Sequence, residues 1–179
     1  YGAKVLFEPR RGYGNACLAA VTFLEEVEPE IVVFIDGDFS SDPREIDGIV
    51  KPILKGEVDL VIGNRTHSRM GKGSMPLHAR LGNKLALVLL RILCGKSFSD
   101  LGPFRAITWK SLKSLGMKDQ SYGWNVEMMI KALRMNLRIK EVDVSYRKRI
   151  GKSKISGTPV GSIKAGYLII STILHCSFD

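Results

Sequence analysis

The chain has 179 residues, 45% of them hydrophobic and 25% charged, and a formal net charge of +9; it is long enough to bury a core and too apolar to be disordered, so one globular domain spanning 1–179 is expected. The positive charge is concentrated: residues 105–164 hold 14 Lys and Arg against 4 Asp and Glu, while the first hundred residues are near balance. Such a segment implies an anionic partner, whether nucleic acid, an anionic membrane face or a phosphorylated substrate.

Residues 4–7, Lys-Val-Leu-Phe, read as a short strand, and residues 8–15 as a Gly- and Pro-marked loop. A helix is expected over 16–27, with Asn15 as its N-cap and Pro29 after its end. Ile31-Val32-Val33-Phe34-Ile35 then reads as a fully buried strand, closing on Asp36-Gly37-Asp38. Asp42 before Pro43 marks a helix start, and that helix runs to about residue 55, where Gly56 stops it. Residues 59–63 are another buried strand. Alternating strands and helices argue a parallel sheet covered by helices.

The polar, glycine-containing stretch 64–76 reads as a long functional loop. An apolar helix is expected over 78–94, a strand over 100–107, a short helix over Trp109–Leu115 and a longer one over 122–135. Residues 137–146 alternate with period two, as a half-exposed strand does. Residues 147–157 are too basic and glycine-punctuated for a core element, and 160–178 form an apolar helix suited to the core or to a membrane interface.

Cys17, Cys94 and Cys176 are scattered, which excludes a disulfide framework or a cysteine metal site and points to a reducing compartment. The chain opens Tyr-Gly-Ala-Lys, with neither Met nor a leader pattern. No apolar run reaches the roughly 18 residues of a membrane span; the longest, 165–174, is too short.

Asp36 and Asp38 are the sharpest chemical signal. Two acids beyond the carboxyl end of a strand sit where open α/β sheets bind ligands, and like charges there need a cation. Hard oxygen ligands suit Mg²⁺ or Mn²⁺, ions that usually carry phosphates. The amides of Gly12, Gly14 and Asn15, entering a helix, could hold a phosphate or a base edge. Arg65, Arg80, Arg105, Arg147 and Arg149 lie in loops or at element ends, where they could grip an anion. Glu127 sits among apolar residues on its helix. His67, His78 and His175 have no spacing that suggests a metal site or a triad. No aromatic residues interleave with the basic run and no recognition motif appears, so nucleic acid is not the expected partner, and a basic nucleic-acid-binding domain is kept as an alternative reading only.

Ile-Val-Val-Phe-Ile-Asp-Gly-Asp resembles the Asp-X-Asp segment of inverting family 2 glycosyltransferases of the GT-A fold. Gly63-Asn64-Arg65, Ala79-Arg80-Leu81-Gly82-Asn83, Asp100-Leu-Gly-Pro-Phe-Arg105, Tyr122-Gly-Trp-Asn-Val-Glu127 and Arg147-X-Arg149-X-Gly-X-Ser153-Lys154 follow in the family's order. Together they look like the polyprenyl-phosphate sugar synthase branch. The resemblance implies an α/β GT-A fold: a mostly parallel sheet, helices on both faces, with the family's first strand, Pro-X-Tyr-Asn-Glu, missing. It implies Asp36 and Asp38 as ligands of Mg²⁺ or Mn²⁺ and of the donor diphosphate. Ser40 stands where the mannose synthases have a metal-assisting Gln. Gly12, Gly14 and Asn15 would lie near the donor nucleotide, and Arg65, Arg80, Arg147 and Arg149 would face the acceptor phosphate. The expected reaction is metal-dependent sugar transfer from a nucleotide-diphosphate sugar to a polyprenyl phosphate. Its setting would be cytoplasmic, peripheral to an anionic membrane. With a hydroxyl acceptor instead, Asp100 or Glu127 becomes the candidate base.

Overall fold

A computed structural model describes residues 2–71, 73–151 and 159–178. The elements run α1 (Tyr13–Leu24), β1 (Ile31–Phe34), a 3-10 turn (Pro43–Glu45), α2 (Ile46–Leu54), β2 (Leu60–Met70), α3 (Leu77–Cys94), β3 (Arg105–Thr108), α4 (Trp109–Leu115), α5 (Trp124–Arg134), β4 (Ile139–Tyr146) and α6 (Pro159–Phe178). The strands form one sheet in the order β1-β3-β2-β4. β3 is antiparallel to both neighbours, and β2 pairs with β4 in parallel. β1, β2 and β4 therefore point one way and β3 alone points back, a mixed version of the expected sheet.

Side chains on the strands alternate between two cores, as the pleat requires. Val32, Phe34, Leu60, Ile62 and Ile107 pack with Trp124 and Met128 of α5 and with residues of α1, α3, α4 and α6. Ile31, Val33, Val61, Ala106 and Val144 meet Ile49 and Ile53 of α2. Helices thus cover both faces, as expected. Trp124 is fully buried and meets Phe34 edge-on, with ring centroids 5.9 Å apart.

Four elements differ from the sequence reading. Residues 4–7 form no strand; Val5 and Phe7 are almost fully exposed, and no described strand pairs with them. β1 is half-buried rather than fully buried, because it lies at an edge of the described sheet and pairs only with β3. β2 continues to Met70 through half of the expected loop, because β4 supplies parallel partners from Asn64↔Asp143 to Met70↔Tyr146, with a register shift between Arg65 and Met70. α1 also starts earlier than expected, with Gly12 and not Asn15 at its N-cap.

One shared direction for β1, β2 and β4 places their carboxyl ends at the same edge of the sheet. β3 runs back, so the segment that enters it, residues 100–104, reaches that edge too. Asp36 and Asp38, Arg65, Asp100, Arg147 and Arg149 are gathered there by topology alone, in the position where α/β sheets bind ligands.

Candidate active site

The turn after β1 carries the two acids. Asp36 is half-buried, and burial pushes its carboxyl above the usual carboxylate range. The neighbouring Asp38 pushes it the same way, while Arg149 and Arg65 oppose the shift. Among the described residues Asp36 has no ion pair, whereas Asp38 accepts the Ser40 amide at 3.0 Å and lies 3.3 Å from the Arg149 guanidinium. Phe39, between them, has φ 66, a backbone conformation bulky residues rarely adopt. Such strain persists where surrounding contacts enforce it.

Those contacts come from the segment after β4. Tyr146 bridges to Ser41, the Arg147 amide donates to the Ser40 carbonyl at 2.8 Å, and the Ile150 amide donates to the Asp38 carbonyl at 2.9 Å. The Arg147 side chain reaches Asp42 and lies over the Phe39 ring at 5.4 Å. Arg44 also pairs with Asp42, and these cations hold its carboxyl well below the usual range. Arg147 and Arg149 therefore clamp the acid turn as well as adding positive charge beside it. Ser153 and Lys154 of the same motif lie outside the described residues.

Arg65 and Asp100 form a buried, two-pronged pair, with Nε to Oδ2 at 2.6 Å and Nη2 to Oδ1 at 2.7 Å; Oδ2 also accepts the Arg65 amide at 3.0 Å. Fork-to-carboxylate pairing of this kind fixes orientation as well as charge. The guanidinium lies 5.0 Å from the Tyr146 ring centroid. Asn83 of α3 accepts the Leu101 amide at 3.2 Å, holding the backbone next to Asp100. Arg80 stands apart from this pair. Its Nη2 is 3.5 Å from the Met70 sulfur, its buried Nε has no hydrogen-bond partner among the described residues, and it lines a cavity of about 410 Å³ with Arg65, Lys84 and Asp100.

A larger cavity of about 500 Å³ lies between α3 and α6. Arg65, Lys148 and Arg149 give it a basic lining next to the acid turn, and Leu85, Ile169 and Ile170 give it an apolar one. The sequence reading missed this cavity and Lys148. A signal was present: Ala79, Gly82 and Ala86 recur along α3 and face Ala165 and Gly166 of α6 across the cavity, and small residues let helices approach.

Gly12, Gly14 and Asn15 have a different geometry from the one expected. The Gly14 and Asn15 amides are not free for a phosphate: they donate to the Ser121 and Gln120 carbonyls at 3.0 and 3.1 Å. A Cβ on Gly12 would lie 2.1 Å from the Gln120 oxygen, and one on Gly14 would lie 2.0 Å from the Asp119 oxygen. These glycines seat α1 on the 118–121 loop. Glu127 anchors that loop. Its oxygens accept the Lys118 amide at 2.9 Å and the Asp119 amide at 2.7 Å, and Lys131 lies at 2.7 Å. Its carboxylate takes three close contacts, as does that of Asp100, so each holds backbone and a neighbouring cation in place.

Arg105 is buried and, among the described residues, donates to the Gly102 and Asn125 carbonyls and to no carboxylate, and burial lowers its pKa to about 10. It remains charged at neutral pH and ties the entry of β3 to the start of α5.

Asp36 and Asp38 fit a hard divalent ion that takes its remaining ligands from water and a phosphorylated substrate. Among the described residues no cluster of three His, Cys, Asp or Glu side chains occurs, so these two carboxylates form the acidic part of the site. Asp36, half-buried beside a like charge, is the group a cation would relieve.

The glycosyl transferase family 2 model matches residues 1–138. An uncharacterized glycosyltransferase of Mycobacterium tuberculosis is 38% identical over 167 residues, covering 92% of this chain and 73% of its own length. The undecaprenyl-phosphate mannosyltransferase of Micrococcus luteus is 28% identical over 158 residues, covering 84% of this chain and 63% of its own. Among solved structures, glucosyl-3-phosphoglycerate synthase from Mycobacterium tuberculosis, in complex with Mn²⁺, uridine diphosphate and phosphoglyceric acid, superposes with a TM-score of 0.70 at 23% identity. That match covers 96% of this chain and 56% of the solved one, so the chain spans little more than half the length of this structural neighbour.

Proposed function

We propose that this chain, which belongs to glycosyl transferase family 2, transfers a sugar from a nucleotide-diphosphate sugar to a polyprenyl phosphate at the cytoplasmic face of a membrane. The observation that carries this reading is the cavity between α3 and α6. Its basic lining of Arg65, Lys148 and Arg149 adjoins the acid turn, and its apolar lining runs along the two helices. A lipid phosphate has the same division into an anionic head and an apolar tail.

Asp36 and Asp38 would hold Mg²⁺ or Mn²⁺, which neutralises charge on a departing nucleoside diphosphate. A phosphate oxygen is ionised near neutral pH, so the acceptor needs no strong base. That suits a site where Asp100 is tied to Arg65 and Glu127 to the 118–119 amides. What the protein supplies is position and charge: Arg65, held rigid by Asp100, and Arg149 direct the acceptor phosphate towards the donor side. Arg80, whose buried Nε has no hydrogen-bond partner among the described residues, lines the smaller neighbouring cavity with Arg65 and adds positive charge beside that phosphate.

A water-soluble phosphorylated acceptor is the second reading, favoured by the same three cations and by the phosphoglyceric acid in the structural neighbour. Incubation with labelled nucleotide sugars, Mn²⁺ and either undecaprenyl phosphate or phosphoglycerate separates the two. Label extracted into organic solvent, lost with EDTA or in Asp38→Asn, supports the lipid acceptor. Label confined to the aqueous phase overturns it, and full activity of Asp38→Asn overturns the metal role.

A further inference from the structure

α3 has two apolar faces. Ala86 and Leu90 are buried in the core. Leu77, Leu81, Leu85, Val88 and Ile92 are 72%, 61%, 51%, 46% and 70% exposed. At about 100° per residue, these five fall within one arc of about 80°, roughly opposite Ala86 and Leu90. Arg80, Lys84 and Arg91 align along one border of that arc, and the 18-residue helix contains no Asp or Glu. Packing against α5 and α6 requires only one apolar stripe, so the outer one is left for a partner.

We propose that the outer face of α3 is a docking surface for an anionic lipid bilayer. The helix would lie in the plane of the membrane, its stripe sunk among the acyl chains and Arg80, Lys84 and Arg91 against the headgroups. Charge complementarity selects this occupant: an acid-free helix with a basic row beside an apolar stripe is the pattern of in-plane membrane helices. A second copy on the same stripe would bring two basic-bordered, acid-free surfaces face to face, where like charges oppose association. No described helix is long and apolar enough to cross a membrane, so α3 lies on the bilayer and does not span it.

The surface is continuous with the cavity, because Leu85 belongs to both. With the stripe in the membrane, an acceptor lipid reaches the basic lining without its chain leaving the acyl phase. Only this last step rests on the proposed function; docking itself needs no polyprenyl phosphate.

The test is co-sedimentation of the protein with vesicles free of polyprenyl phosphate. Vesicles with about one-third phosphatidylglycerol should retain it, and pure phosphatidylcholine should retain markedly less. The triple variant Leu77→Gln/Val88→Gln/Ile92→Gln alters exposed residues that line neither cavity, so it should melt like wild type yet bind anionic vesicles at least about tenfold more weakly. Equal binding by wild type and variant, or no binding by wild type, overturns the proposal. So does a wild-type dimer in light scattering that the same substitutions dissolve, since the stripe then belongs to a second copy. Vesicle binding that survives while transfer to undecaprenyl phosphate is absent counts against the proposed function and still supports docking.

Discussion

The guanidinium of Arg149 lies 3.3 Å from the carboxylate of Asp38. The same acid is the proposed metal ligand, so a divalent ion competes with this arginine for it. Replacement by Arg149→Ala should raise Mn²⁺ affinity about two- to fivefold at low salt, the scale of a partly exposed ion pair worth ~0.5–1 kcal/mol. Sugar transfer should fall in the same variant, because the arginine would otherwise face the acceptor phosphate. Titration of free Mn²⁺ by electron paramagnetic resonance reads the first effect and a transfer assay the second. Unchanged metal affinity would show that the pair does not compete.

Asp100→Asn leaves the Arg65 charge buried without its counter-ion. Breaking one partner of a buried pair typically costs about 3–5 kcal/mol, so urea unfolding should show a clear drop in midpoint. Arg65→Lys should restore little, because an ammonium cannot reproduce the two-pronged geometry.

Glu127→Gln removes one of two acceptors from the 118–119 amides. The expected loss is ~1–3 kcal/mol for an unsatisfied buried donor. Hydrogen exchange should quicken at residues 118–119 and at Gly14 and Asn15, which rest on the same loop. KM for the donor should rise more than kcat falls. A collapse of kcat with unchanged exchange would instead identify Glu127 as a base.

Gly14→Ala places a methyl where the Asp119 carbonyl already stands, 2.0 Å away. Backbone cannot yield as a flexible side chain does, so the cost should reach or exceed the ~1–3 kcal/mol usual for overpacking. Thermal unfolding checks this, with Gly48→Ala as the comparison, since nothing lies within 4 Å there.

Cys17 sets a pH dependence. Burial raises its thiol from 9.0 to about 12, only partly offset by the hydrogen bond with Tyr13. A raised folded value means the protonated form is favoured by folding. The contribution is full below pH 9, where the unfolded thiol is also protonated, and declines as pH climbs towards about 12. The stability difference between wild type and Cys17→Ala should stay flat up to that lower bound and then shrink. Reaction with Ellman's reagent at about pH 8 should be slow for the same reason.

Much of this was legible from local pattern. Pro43 after Asp42 and the period of residues 78–94 are short-range signals, and the corresponding elements appear within a few residues of their expected bounds. Elements that depend on a distant partner were not legible. Nothing in residues 64–70 announces a strand until β4 lies beside them. Gly12 and Gly14 carried a recognisable pattern, but the carbonyls that take up the α1 amides sit a hundred residues away. Arg147 and Arg149 were expected to face an acceptor; their contacts with Asp42 and Asp38 depend on the segments after β1 and β4 meeting at one edge of the sheet, which composition cannot show. Asp100 and Glu127 read as candidate bases, and nothing local announced the amides and the arginine that their carboxylates hold.

The 118–123 loop receives α1 through Gly14 and Asn15, α5 through Glu127, and α6 through Asp119, whose Oδ2 accepts the Thr172 hydroxyl at 3.0 Å. Three helices from distant parts of the chain are thus indexed to six consecutive residues. Inserting or deleting a single residue there would put all three out of step at once, whereas side chains such as Gln120, which contributes only its carbonyl, are free to vary. In chains of this lineage the loop should therefore diverge by substitution and keep its length, and the spacing from Asp119 to Glu127 should prove a steadier marker of the fold than the residues between them.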